Sequence, residues 1–597
     1  MNKKVLLLSL AAALLIGCST NKNNNNNTST DNNSSFNTDD DPMSIISDGG
    51  TSNEYDEDPF VEDEIATPSE YDGNNVTEIA NPGKYYLSGE LNPINITASK
   101  NKVVYLFLDG VSISSNEGIA LASENKITLY IVLLNGSTNT IVNDFEDTNA
   151  VHIKGDIHIL GNGTLNIESK QKNGLKASKD LYISGSQLTL NVTGANHAIA
   201  ARSLAAYDAT INVTAKGKDG VQLEVDSDVT EFVTTQGYAK LTNINFTADT
   251  YGDGIQANTF LYISGGTYNI VTHGKFVSYS AANAEEYGLE DKDFKYIASG
   301  DSYKRVATDE IRSLSSKYYA LTQSVKGLKI NEIEAESGYF AGNYEIFIAH
   351  GAMVTVNSTD DCIHTNYGDV FVEESNLFLN TFDDGVHADY DTKITNAHVE
   401  VSKSYEGIEG ATVTIDGSQT NMVIYADDDG LNAASDYAFT NDIRIKNGYM
   451  RVYASGDGLD ANTALYLEGG EVIVEGPGQM NGSLDAEQIY FQGSKVFACS
   501  TNGMRERMSA TQNTFVYQGK TTLYANSEIT IVDANNNTLY AYTLRQSCTQ
   551  IIFSSSDLKI GGTYKIMNGS NVVATINQTS SVTSVGSGGG RGGRPAY

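Results

Sequence analysis

Tryptophan is absent from this chain, and proline nearly so, with 7 in 597 residues. Glycine (55) and tyrosine (35) are plentiful, a balance that a helical protein would not show. Basic residues are also scarce. Thirty-nine Lys and Arg face 74 Asp and Glu, leaving a formal net charge of −35. A chain so poor in cations is not built to neutralise phosphates, which excludes nucleic acid as a partner. The same excess of carboxylates suits divalent cations. Cysteine is sparse too. Beyond Cys18 there are only Cys362, Cys499 and Cys548. Three is an odd number and their spacing matches no metal pattern, so they read as buried small hydrophobes.

What is present is a repeat. An acid or Asn is followed by Gly, an aliphatic, a polar residue and a small residue, at intervals of mostly 22 to 25 residues. Copies include Asn173-Gly174-Leu175, Asp219-Gly220-Val221, Asp253-Gly254-Ile255, Asp384-Gly385-Val386, Glu406-Gly407-Ile408, Asp429-Gly430-Leu431 and Asp457-Gly458-Leu459. Repetition at this period means a solenoid. Between copies lie alternating runs such as Leu181 to Leu190, Leu261 to Ile270 and Leu465 to Val474. These have the period of a half-buried strand broken by a Gly-rich turn. Two or three short strands and two turns per unit make one coil of a parallel β-helix. Coils stack about 4.8 Å apart, so equivalent side chains form ladders. Leu175, Ile199, Val221, Ile255, Ile363, Val386, Ile408, Leu431, Leu459 and Leu484 are expected to stack inward. The Gly is assigned a turn role, supplying positive φ.

The ends differ from the body. Lys3 and Lys4 precede an apolar run from Val5 to Ile16, and Leu15-Ile16-Gly17-Cys18 resembles the bacterial lipoprotein cleavage signal. The resemblance implies a signal peptide over 1–18 and a mature chain starting at a lipidated Cys18. Several acyl chains suffice for a stable membrane anchor. Residues 19–75, rich in Asn and acids, read as a disordered tether. The β-helix is placed at 76–510, with a charged, off-period insertion over about 273–323 that carries a helix near Ala307–Lys317. That excursion serves binding or acts as a lid. Residues 511–580 read as a small antiparallel β-domain capping the last coil, and 581–597 as a flexible Gly/Arg tail.

In the second half the corner phrase becomes doubly acidic. Asp360 and Asp361, Asp383 and Asp384, and Asp427 to Asp429 fall at equivalent positions, with Glu406 between the last two. Three residues after the second acid stand His364, His387, Glu409, Asn432 and Asp460. Carboxylates one coil apart repel or take up protons unless a cation joins them. Ca2+ accepts six to eight oxygens at about 2.3–2.6 Å and fits better than the stricter Mg2+. A single Asp-Gly is usually a solvated turn. Five successive coils with acids at one corner point to calcium.

Lys403-Ser404-Tyr405-Glu406-Gly407-Ile408-Glu409-Gly410, Ser455 to Ala461 and Lys326 to Lys329 resemble the motifs of calcium-containing carbohydrate-binding β-helix proteins. These occur on bacterial surfaces, often as lipoproteins. The resemblance runs from about residue 76 to 580. It implies a right-handed, single-stranded parallel β-helix of the pectate-lyase-like kind, and binding of acidic or cellulose-like plant glycans. It implies calcium held by Asp360, Asp361, Asp383, Asp384, Glu406, Glu409, Asp428, Asp429, Asp457 and Asp460. Cys362 in place of Gly and His at two ligand-like positions depart from the pattern.

Three functions are weighed. The first is a monomeric, surface-anchored, calcium-dependent polysaccharide binder without catalysis, in the cell envelope. Calcium would bridge protein acids to uronate carboxylates. With Trp absent, Tyr would stack on sugar, from Tyr405, Tyr425, Tyr437 and Tyr453, and His387 and Asn432 would join Tyr405 in contacting ligand. The second is a calcium-dependent polysaccharide lyase with Lys393 or Lys403 as base. The third is a structural adhesin recognising protein.

Overall fold

The computed structural model describes residues 76–586, apart from 230–231, 308–309, 336–337, 340–343, 436–437, 478–480 and 502–506. Residues 1–75, with Cys18 and the tether, lie outside the described residues, as do Tyr437 and residues 587–597 of the tail.

Each coil contributes three strands. In one coil they are Leu175–Ala177, Leu181–Ser184 and Thr189–Gly194; in the next, Ile199–Ala201, Leu204–Tyr207 and Thr210–Ala215. Alternation of buried and half-buried side chains along each strand, as in Thr189–Gly194, puts every second residue into the core. Each strand pairs in parallel with its equivalent in the next coil, giving a parallel β-helix of about 17 turns. The aliphatic ladder runs in register from Leu175 through Ile199, Val221, Ile255, Leu328, Ile363, Val386, Ile408 and Leu431 to Leu459 and Leu484. It belongs to one apolar core that extends from Val76 to Ala498 and takes in Ile552 from beyond the last coil. Cys362, Cys499 and Cys548 are buried and unbridged.

The corner Gly has a different cause from the one expected. Gly174, Gly220, Gly254, Gly385, Gly407, Gly430 and Gly458 all lack positive φ. What they lack is room. A Cβ on Gly407 would stand 2.2 Å from the carbonyl oxygen of Gly430 and 2.4 Å from the Ile424 side chain. A Cβ on Gly430 would meet Val452 and the Gly458 oxygen in the same way. Coil-to-coil approach at the corner therefore selects Gly there.

The insertion is a small body of its own. Phe276–Ser278, Tyr296–Ser299, Ser302–Arg305 and Tyr318–Leu321 form an antiparallel sheet around Phe294, Tyr318 and Ala320. Its α-helix is Ala281–Tyr287; of the helix expected near 307–317, residues 308–309 lie outside the described residues and the others form no α-helix. Ser280 caps the start by accepting the Asn283 N–H at 3.0 Å, and Gly288 ends it at φ 65°. The Ser-rich stretch at 313–316 has no α-helix, because Ser competes for backbone bonds. It packs Leu314 against the small core instead, as the preceding Ile311 does.

Beyond the last full coil, Arg507–Ala510 continues the parallel register on Leu484–Phe491. Cys548–Ser554 then pairs antiparallel with Lys495–Ser500, covering an edge that would otherwise be open. A four-stranded antiparallel sheet (538–543, 528–532, 563–568, 571–577) completes this end. Val582–Gly586, expected within the tail, is a strand parallel to Thr514–Gln518. Glu475 pins the unit to the solenoid. Fully buried, it accepts the N–H of Gln546 at 2.7 Å, that of Arg545 at 3.0 Å and the Tyr542 hydroxyl at 2.7 Å.

Candidate functional site

The residue before the corner Gly does structural work first in most coils, Lys326 and Glu406 being exceptions. Its side-chain acceptor takes the N–H of the equivalent residue one coil on. Asn173 N–H donates to Asn149 Oδ1 (3.2 Å), Asp253 to Asp219 (2.8 Å), Asp384 to Asp361 (3.0 Å) and Glu406 to Asp384 (3.1 Å). Asp457 donates likewise to Asp429, and Gly482 to Asp457. The bond satisfies a buried donor where the chain turns, so either Asn or Asp serves. Each carboxylate keeps a second oxygen for other chemistry.

In the coils at 360–388 that second oxygen meets cations of the protein itself. Lys326 Nζ lies 3.1 Å from Asp360 and 2.5 Å from Asp361. Lys326 occupies the corner position of its own coil, where other coils carry an acid. From the insertion, Lys295 reaches Asp383 at 2.7 Å and Arg305 bonds both Asp383 and Asp384, the latter at 3.1 Å. The Tyr296 hydroxyl donates to Asp383 at 2.9 Å. Arg305 also stacks on the Tyr405 ring, 4.1 Å from its centroid. Burial raises carboxylate pKa values, but Lys326 outweighs it at Asp361, as Lys295 and Arg305 do at Asp383, and both stay below the usual range. Asp384 is pushed up to about 7 by burial and by Asp383.

His387 is a further internal cation. Burial disfavours its charge, yet Glu409 at 2.7 Å and Asp384 at 3.6 Å hold its pKa well above the usual value. It stacks on His364, ring centroids 4.7 Å apart. His364 is buried against Asp361 at 2.7 Å, and burial pushes its pKa down to about 3.

The coils at 406–460 differ. Among the described residues no Lys or Arg pairs with Glu406, Asp428, Asp429, Asp457 or Asp460; Lys304 reaches only Asp427, at 3.6 Å. Burial and neighbouring acids hold Glu406 well above the carboxylate range and push Asp429 up to about 8, Asp457 to about 7 and Asp460 to about 6. Asn432 donates to Glu406 at 2.8 Å.

Tested for fit to a divalent cation, the two regions separate. Asp360, Asp361 and Asp383 bring oxygens within 4.8 Å of one another, as do the ligand atoms of Asp384, His387 and Glu409. Lys326, Lys295 and Arg305 already neutralise the first group, and His387 the second. A metal ion at either group would have to displace these cations. Glu406, Asp428, Asp429, Asp457 and Asp460 offer hard oxygens of the kind Ca2+ takes, without an ammonium or guanidinium partner among the described residues, but among those residues no three of them bring ligand atoms within 4.8 Å of one another.

The expected sugar-stacking rings are packed. Tyr405 is buried, under Arg305. Tyr425 and Tyr453 stack at 4.8 Å, with Arg545 from the C-terminal unit over both. Lys393 lies away from the corner, in register between Phe371 and Thr414 on the second sheet. Lys295, Tyr296, Arg305 and Lys326 were missed from the sequence. Lys326 had a signal, a cation at an acid position; the insertion residues had none beyond the segment's charge.

A parallel β-helix with one acidic, chemistry-bearing corner is the class these observations define. The chain belongs to the family of carbohydrate-binding domain-containing proteins, whose model matches residues 72–385 and 380–540. A carbohydrate-binding domain-containing protein of Acetivibrio thermocellus is 30% identical over 135 residues, which are 20% of this chain and 47% of the relative. The chain thus spans about half the length of that relative. A solved structure, the polysaccharide lyase-like protein from C. thermocellum as a gadolinium derivative, is 26% identical, covering 34% of this chain and 86% of that one at a TM-score of 0.29.

Proposed function

We propose that the protein is a non-catalytic, calcium-dependent polysaccharide binder, anchored to the cell envelope through a lipidated Cys18. Calcium would be held by Glu406, Asp428, Asp429, Asp457 and Asp460, and would supply a bridge from these carboxylates to the acidic groups of a uronate polymer. The observation that carries this reading is the set of half-buried acids in successive coils with no basic partner among the described residues. A negatively charged corner cannot hold an acidic glycan directly, and a divalent ion reverses the sign of the contact. Membership of the carbohydrate-binding family supports the polysaccharide as partner.

The test is retardation of the soluble chain in polygalacturonate, xylan, glucan and cellulose-derivative gels, with calcium and with EGTA. Retardation by polygalacturonate that disappears in EGTA, without unsaturated product, is the expected result. Absence of retardation on every polymer refutes it and leaves the protein-binding adhesin. One observation favours a lyase as second reading: burial lowers the pKa of Lys403, whose Nζ lies 4.0 Å from the Phe382 ring centroid. Ultraviolet-absorbing product that is lost in Lys403→Met would establish it.

A further inference from the structure

The turn from the second sheet to the third takes two residues at Glu374-Ser375 and at Asn396-Ala397, but four from Gly417 to Thr420. Gly417 opens the longer turn at φ 86°. The added length brings Gln419 beside the two shorter turns, its N–H 3.4 Å from Asn396 Oδ1. A cavity of about 420 Å³ opens there, lined by Glu374, Ser375, Asn376, Asn396, His398 and Gln419.

Three features of this cavity point to one ligand chemistry. The side chains of Glu374, Asn376, His398 and Gln419 make no hydrogen bond or ion pair among the described residues. Two amides, an imidazole and a carboxylate thus converge with donors and acceptors unused, which is what the vicinal hydroxyls of a sugar require. Apolar surface adjoins them. The His398 ring tilts against Phe378 with centroids 5.5 Å apart, and Met353, 44% exposed, lies one coil below Asn376 in the same column. Such surface suits the C–H face of a pyranose. No Lys or Arg lines the cavity, and Glu374 would repel a carboxylate or phosphate, which excludes uronates and phosphosugars.

We propose that this cavity is a subsite for a neutral pyranose unit, separate from the acidic corner and independent of calcium. It rests on the carbohydrate-binding reading and gives the neutral, cellulose-like sugars of that reading a site of their own. The chain would hold uronates at the corner through calcium and neutral sugars here by direct hydrogen bonds.

The experiment titrates cellohexaose and xylohexaose, in EGTA, into the soluble chain, Asn376→Ala/Gln419→Ala and His398→Ala, with polygalacturonate in calcium as a parallel arm. All three positions lie at the surface, and thermal melts check that the variants fold. The expected result is binding of a neutral hexaose by the unaltered chain, weakened at least about ten-fold in the double variant, with polygalacturonate binding unchanged. Unaltered hexaose binding by the variants overturns the subsite. So does a chain that binds polygalacturonate but neither hexaose, and that result leaves the calcium reading intact. A chain that binds no glycan at all overturns the carbohydrate reading with it.

Discussion

At Asp383 and Asp384, two side chains from the insertion, Lys295 and Arg305, sit against the carboxylates. One and two coils further on, at Glu406 and Asp429, no basic side chain pairs with them among the described residues. The two regions share one sequence phrase and one backbone bond pattern, yet differ in how their charge is met. The side-chain oxygen before the corner makes the backbone bond in both, from Asp361 and Asp384 in one and from Asp429 and Asp457 in the other. Only where no internal cation reaches its second oxygen is there an opening for a divalent ion. A repeated acidic motif therefore does not mean a repeated metal site; what packs over each coil decides.

The largest effect should come from removing an internal cation. Lys326→Met leaves Asp360 and Asp361 buried without their partner, and should cost about 3–5 kcal/mol in urea unfolding. A loss below about 1 kcal/mol would mean that Lys326 is not the counterion these coils depend on.

Calcium should act on the other region. At a hundredfold excess over its Kd, it should stabilise the chain by about 2.7 kcal/mol, and EDTA should reverse this. The pH dependence has a defined sign. Asp429, held up to about 8, and Asp457, to about 7, keep protons in the folded chain that the unfolded chain has already released. Metal-free stability should therefore fall as pH rises from about 4 to about 8. Calcium should flatten that slope, as a pH series of thermal melts would show; a metal-free Tm that rises over this range contradicts the assignment.

Gly407→Ala should destabilise by about 1–3 kcal/mol, because the new Cβ must push against the Gly430 carbonyl. An equal penalty is not expected for Gly351→Asn, since Asn tolerates the left-handed conformation and a Cβ there meets nothing within 4 Å. The smallest effect is Asp457→Asn. In EDTA it should raise stability by up to about 1 kcal/mol, by removing one of several mutually repelling acids, and the gain should vanish in calcium.

The fold was legible in the sequence to the level of the ladder. Leu175 to Leu484 stack as their spacing required, since burial on one face leaves a period that survives in the letters. Leu328 belongs to that ladder as well, across an insertion that interrupts the count. The acid positions were legible too, but not their electrostatic state. Lys295 and Arg305 contact Asp383 across some eighty residues, and nothing in a local pattern encodes that pairing. Gly407 illustrates a subtler limit. A Gly in a turn phrase reads as positive φ, whereas the reason here is the neighbouring coil, which a single copy of the repeat does not contain. The Tyr residues misled for a related reason: Tyr425 and Tyr453 have strand spacing and aromatic rings, but Arg545 of the C-terminal unit covers them.

The most direct test is a calorimetric calcium titration of the unaltered chain beside Asp429→Asn/Asp457→Asn and Asp360→Asn. Calcium binding that is lost in the first variant and unchanged in the second is the predicted result. Binding that survives in Asp429→Asn/Asp457→Asn but disappears in Asp360→Asn would place the ion among the coils that Lys326, Lys295 and Arg305 neutralise, and would contradict the division between the two regions.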